Sequence, residues 1–201
     1  MTPQQLTNWL QSRRSIRRYQ PTPIPQTLLE QLLTTANWAP SAHNRQPWRW
    51  AVLTQPQHKH QLATAMGQRL TQDLTTDNLD PALIAKDVNR SYQRLTQAPA
   101  LVIVCLTMAD MDTYPDPRRQ AHEHHMAVQS TAMAGQNLLL AAHALGLGAC
   151  WLCAPLFCPQ TVRHTLNLPS DWEPQGLITL GYPAQTRTKT RHPLHTRARF
   201  L

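Results

Sequence analysis

At 201 residues the chain is long enough for one well-buried domain and too short for a second independent core, so residues 1–201 read as a single domain. A formal charge of +8 from only 15% charged residues reflects a shortage of acids as much as a surplus of bases. It favours anionic partners, yet zinc-finger spacing, interleaved basic and aromatic residues and a heptad with a basic arm are all missing, which argues against a nucleic-acid module.

Thr2-Pro3-Gln4-Gln5 has the form of a capping box with proline at the first helical position, and Leu6, Trp9 and Leu10 share a face. A short amphipathic helix therefore opens the chain. It runs into RRSIRRY, Arg13 to Tyr19, and the proline-rich QPTPIP stops it. Arg13, Arg14 and Arg17, with the Ser15 hydroxyl, supply forked donors and a directional hydrogen bond, the donor set of a phosphate monoester site. Arginines at a helix end also complement the helix dipole, and the residues alone leave both readings open. Leu28, Leu29, Leu32, Leu33 and Ala36 predict a second helix between Pro25 and Ala39. The stretch APSAHNRQPWRWAVL, Ala39 to Leu53, then sets two amides, Asn44 and Gln46, beside a buried strand from Trp48 to Leu53. A loop held by a rigid scaffold is a binding-site candidate, while Pro, Ser and Asn are equally ordinary turn residues.

Residues 55–97 are polar and glutamine-rich, which predicts one or two surface helices around a mobile middle near Thr75 to Asp80. ALVIVCL, Ala100 to Leu106, reads as a strand covered on both faces. A long helix from about Gln120 to Leu145 follows; Gly135 in its interior costs roughly 1 kcal/mol against alanine, which predicts another backbone packed close there. Gly146 and Gly148 end that helix. A strand Ala149 to Leu152, a short helix Pro159 to Asn167, a strand Gly176 to Gly181 and a basic tail with Lys189, Arg191, Arg197 and Arg199 complete the chain. Apolar strands separated by helices imply a sheet covered on both sides, in the α/β or α+β class.

The chemical motifs narrow the field. GLGAC follows a helix, and Trp151 replaces the third glycine of a dinucleotide fingerprint. HEHH, His122 to His125, misses the zinc-protease spacing because Met126 stands where the second histidine belongs, so it reads as an exposed helix start. Cys150 and Cys153 form a C-x-x-C with no second pair, too little for a zinc ribbon; with Cys105 and Cys158, and no signal peptide, they read as reduced thiols of a cytoplasmic protein. The longest apolar run is interrupted by His143 and is too short to cross a bilayer. No G-x-S-x-G elbow is present. A basic chain with a phosphate-like site, an amide-rich loop and no nucleophile fits chemistry that belongs to a bound cofactor.

RRSIRRY, APSAHNRQPWRW, LLLAAHALGLGACWL, GLITLGYP and KTRHPL stand in the order found in the FMN-dependent nitroreductase family, which the chain resembles over nearly its whole length. HNRQPWRW and the segment from GLGACWLC to GLITLGYP are most similar to the flavin-binding C-terminal domain of the bifunctional enzyme that makes the deazaflavin coenzyme factor 420. The resemblance implies an α+β sandwich, a mixed, mainly antiparallel sheet flanked by helices. It further implies an intertwined homodimer with the long helix at its centre and two FMN sites between subunits. By the same resemblance Arg13, Arg14 and Ser15 would hold the FMN phosphate and ribityl end, with Arg191 approaching the phosphate from the tail. Arg17 would lie by the N(1) and C(2) edge of the ring, where positive charge stabilises the reduced anion. Pro40, Ser41, Asn44 and Gln46 would line the ring and ribityl chain from the same or the other subunit. Trp151, Leu152 and Cys153 would present backbone near N(5), Cys153 standing where family members often have glycine. No side chain is assigned as catalytic and no metal is expected. The implied activity is hydride transfer from NAD(P)H or a reduced deazaflavin through FMN to a small aromatic, quinone or deazaflavin acceptor. Flavin binding without turnover, and a nucleic-acid module built on the basic tail, are the rival readings.

Overall fold

A computed structural model describes residues 1–201. Six helices, α1 (Pro3–Ser12), α2 (Gln26–Ala36), α3 (Pro56–Thr76), α4 (Pro81–Thr96), α5 (Pro117–Ala144) and α6 (Pro159–Thr165), surround four strands, β1 (Trp48–Leu53), β2 (Ala100–Leu106), β3 (Gly148–Leu152) and β4 (Glu173–Gly181). The strands form one antiparallel sheet in the order β1-β2-β4-β3. Its one parallel element is an isolated bridge from Ser15 to Ala149 on the outer edge of β3.

All seven residues of β2 are buried. Side chains alternate across a strand, so Val102 and Val104 face one layer and Leu101, Ile103 and Cys105 the other. The first layer is α2 and α5, which contribute Leu29, Leu32, Leu138 and Ala142. The second is α3, α4 and α6, which contribute Leu62, Met66, Leu95 and Val162. The outcome is the three-layer α+β arrangement expected of a sheet apolar on both faces.

Several local expectations change. Helix α5 starts at Pro117, three residues before Gln120, because the Asp116 carboxylate accepts the Arg119 N–H at 2.9 Å and proline occupies the first turn. His122 to His125 therefore lie within the helix rather than at its start, and Glu123 among them is fully buried, accepting the Asp112 N–H at 3.2 Å. Gly148 belongs to β3, not to the helix end; a Cβ there would meet the Ile16 side chain at 2.8 Å. Gly146 alone turns the chain, at φ 72°, while the Leu147 N–H closes on the Ala142 carbonyl at 2.8 Å. The segment near Thr75 to Asp80 is the end of α3 and a tight turn with Asn78 at φ 57°. Strand β4 begins at Glu173, ahead of Gly176, and Pro174 sits where its pairing with β2 shifts register. Helix α1 has its capping box, yet none of its residues is buried.

Candidate functional site

The RRSIRRY segment lies along the outer edge of β3. Ile16 N–H donates to the Ala149 carbonyl at 3.0 Å, and the Tyr19 hydroxyl lies 2.7 Å from Thr179 Oγ1, which fastens the segment to β4 as well. Thus pinned, Arg14, Ser15 and Arg17 line a cavity of about 200 Å³ whose remaining lining is Arg187, Lys189 and Arg191 from the tail. Arg14 has two duties. Its Nη1 donates to the carbonyls of Gln11 and Arg13, closing the end of α1, while its buried Nε finds no acceptor. This one side chain thus both closes a helix end and lines the basic cavity.

Arg13 points into an adjoining cavity of about 350 Å³ with Ser12, His143 and Gln185, whose Nε2 is also buried without a partner. Burial and the charge of Arg191 lower the Arg13 pKa. Burial also lowers the pKa of Arg94 on α4, with the charges of Arg90, Arg17 and Arg187 adding to it. Sequence reasoning passed over Arg187: it sits in no motif, and only the return of the tail beside the RRSIR segment brings it into the cavity. Beneath the cluster, Cys150 is held protonated by burial, against the opposing pull of Arg17 and a hydrogen bond from Ser15.

The loop from Pro40 to Gln46 is built from left-handed backbone. His43, Asn44 and Gln46 have φ of 49°, 55° and 49°, uncommon for residues with side chains and of the sort that concentrates at ligand clamps. Ser41 Oγ accepts the Gln46 N–H at 3.0 Å, the Ala42 N–H donates to Ser130 Oγ on α5 at 3.2 Å, and Gln46 Nε2 reaches Asn44 Oδ1 at 3.2 Å. Arg45 and Arg49 pair with Asp112 and Asp110, tying the loop to the segment before α5. The backbone is thereby held while the Asn44 and Gln46 amides stay exposed.

On β3, Trp151 turns its indole inward. A Cβ at Gly135 would lie 2.3 Å from the ring and one at Gly176 2.4 Å, so the glycine in α5 admits an aromatic side chain rather than a second backbone. Trp151 Nε1 donates to the exposed Cys153 Sγ at 3.2 Å. Leu152 pairs with Leu177, at the end of the sheet away from the Ser15–Ala149 bridge.

The basic cavity and the amide loop do not meet within one chain. Ser15 adjoins β3, and the loop leads into Trp48 of β1 at the opposite edge and the opposite end, three strand spacings or about 14 Å away across the sheet. No group of three His, Cys, Asp or Glu side chains is placed to hold a metal. No helix is long and apolar enough to cross a membrane.

The sequence profile of the nitroreductase family matches residues 10–182, spanning the Arg cluster, the amide loop and all four strands. The chain belongs to the nitroreductase family. An NADH dehydrogenase of Thermus thermophilus is 34% identical over 181 residues, covering 86% of this chain and 84% of that protein. Among solved structures, a protein of Desulfovibrio desulfuricans described as a nitroreductase in complex with FMN superposes with a TM-score of 0.73 at 26% identity, over 98% of this chain and 95% of that one. A BluB-like flavoprotein of Clostridium difficile has a TM-score of 0.80 at 19% identity, covering 98% of each chain, a likeness of fold.

Proposed function

We propose that this nitroreductase-family chain is an FMN-dependent oxidoreductase that acts as a homodimer. The observation that carries the reading is the cavity of Arg14, Ser15, Arg17, Arg187, Lys189 and Arg191, where six donor side chains converge without a carboxylate and the Arg14 Nε is buried and unpartnered. A phosphate monoester fits that donor set: it brings about two negative charges and three strong acceptor oxygens. The relative crystallised with FMN adds the cofactor's identity.

In this reading Arg13, Arg14, Ser15 and Arg191 hold the phosphate, and Arg17 lies toward the N(1) and C(2) edge of the ring, where its charge favours the reduced form. Trp151, Leu152 and Cys153, continuing along the same sheet edge, flank the ring. Pro40, Ser41, Asn44 and Gln46 come from the second subunit, because one chain places them at the far corner of its own sheet. FMN held there would supply two-electron hydride chemistry between a reduced donor and an acceptor. The protein positions both molecules and supplies charge, with protons drawn from solvent.

The donor is NAD(P)H, in keeping with the dehydrogenase relative, or a reduced deazaflavin, in keeping with the factor 420 motifs; the acceptor is a small aromatic, a quinone or a deazaflavin. Four free thiols, three of them buried, suit a reducing cytoplasm. The test is the visible absorbance of the purified protein, with chromatography of the ligand released by heat. A flavin spectrum with FMN released is expected. A colourless protein that takes up no added FMN would defeat the reading.

A further inference from the structure

Glu123 is the one member of the HEHH run that packing conceals. It is 0% exposed, its Oε1 accepts the Asp112 N–H at 3.2 Å, and its Oε2 is buried with no hydrogen-bond partner. No lysine, arginine or histidine pairs with it. A carboxyl group so placed is costly, and an apolar side chain would suit the position, because Ala127, one turn later on the same face of α5, packs with Leu106 and Met111. What the carboxyl group offers and an apolar group lacks is the acceptor for Asp112. Asp112 in turn pairs with Arg45, which stands between Asn44 and Gln46 in the amide loop. Helix α5 holds that loop at two further points. Ala134 packs in one cluster with Ala39 and Trp48, and Ser130 Oγ, whose own proton goes to the Met126 carbonyl at 2.7 Å, accepts the Ala42 N–H at 3.2 Å. The three holds descend one face of the helix, from Ala134 through Ser130 to Glu123, as the loop advances from Ala39 through Ala42 to Arg45. At the rise of an α-helix they span about 16 Å, so a single rigid element sets the course of the whole loop. Left-handed backbone, as at Asn44 and Gln46, persists where its surroundings over-determine it, and of the three holds the one through Glu123 lies beside these two amides.

Resting on the FMN reading above, we propose that Glu123 is a positioning residue of the flavin site. Without touching the cofactor, it fixes the Asp112 backbone, whose carboxylate fixes Arg45, and thereby the direction in which the Asn44 and Gln46 amides point.

The experiment measures FMN affinity and thermal stability side by side in the full-length protein. Glu123→Leu removes the acceptor and leaves an apolar side chain of similar volume, so its melting temperature should stay near that of the wild type while the Kd for FMN rises about tenfold. Glu123→Gln keeps an acceptor oxygen and should return the Kd to within about threefold of the wild type. The visible circular dichroism of the bound flavin should change in the first variant and recover in the second. Asp112→Asn cuts the same path at its partly exposed ion pair and should weaken FMN binding to a similar degree, whether or not Glu123→Leu folds. Adding Glu123→Leu to Asn44→Ala with Gln46→Ala should weaken binding no further, since groups that act through one another are not additive. Wild-type affinity in a folded Glu123→Leu or in Asp112→Asn, or a fully additive loss on top of the loop substitutions, would overturn the inference and leave the FMN reading standing. A wild-type protein that binds no FMN would overturn both.

Discussion

Trp151 lies between Gly135 of α5 and Gly176 of β4, and its ring decides what either glycine can become. In an open helix, replacing Gly135 by alanine would add about 1 kcal/mol of stability through backbone propensity. Here the new methyl would stand 2.3 Å from the indole, and overpacking of this kind costs about 1–3 kcal/mol. Gly135→Ala is therefore expected to be neutral to destabilising. Gly176→Ala, in a strand with no helical propensity to recover, should cost more. Chemical denaturation of the two variants checks the order; a gain of stability in Gly135→Ala would mean that the indole moves aside freely. The same ring donates to Cys153 Sγ, so its displacement would also disturb the chain where the flavin ring is proposed to lie.

At the scale of elements, α1 is held to the body by its far end. Trp9 stacks on His143 of α5 with ring centroids 5.2 Å apart, and Ser12 Oγ lies 2.8 Å from His143 Nε2. Ser12 spends its one proton on the Trp9 carbonyl at 2.7 Å, so His143 Nε2–H is the donor to Ser12. Burial, with Arg13 and Arg14 nearby, lowers the His143 pKa. Below the unfolded value of about 6.5 the unfolded chain then binds the extra proton first, so this contact contributes stability at neutral pH that is lost as the pH falls through the folded value. Wild-type stability should fall more than that of His143→Gln between about pH 7.5 and about pH 5. Parallel melting curves across that range check this, and identical pH dependence would show that the contact is indifferent to protonation. The buried thiols contribute nothing in this range: burial raises Cys158 to about 11 and Cys105 to about 12, so both stay protonated.

For the whole molecule, the separation of the two half-sites carries a distinctive expectation. In a symmetric dimer with sites between subunits, each site takes its basic cavity from one chain and its amide loop from the other. A chain altered in the cavity, Arg14→Ala with Arg191→Gln, and a chain altered in the loop, Asn44→Ala with Gln46→Ala, should each bind FMN poorly. Unfolded together and refolded, they should recover about a quarter of the wild-type sites, because half the dimers are mixed and each mixed dimer has one intact site. FMN stoichiometry after mixing measures this; no recovery would place both halves of a site in one chain.

How much of this was legible beforehand depends on the range of the forces involved. Local signals were sufficient for the capping box at Thr2, strands β1 and β2 and the α2 leucines, because hydrogen bonds within a turn and side-chain alternation act over a few residues. Motif order along the chain was sufficient for the family, and the profile match to residues 10–182 agrees with it. The purpose of Gly135 was not legible, since its occupant comes from a strand sixteen positions later, nor was the addition of Arg187 to the basic cluster. The sequence by itself determined the elements, the charge and the residue types of the site. Only the tertiary structure decided which cations share a cavity and that the amide loop stands at the opposite corner, because strand order and helix packing follow from long-range burial that no local pattern records.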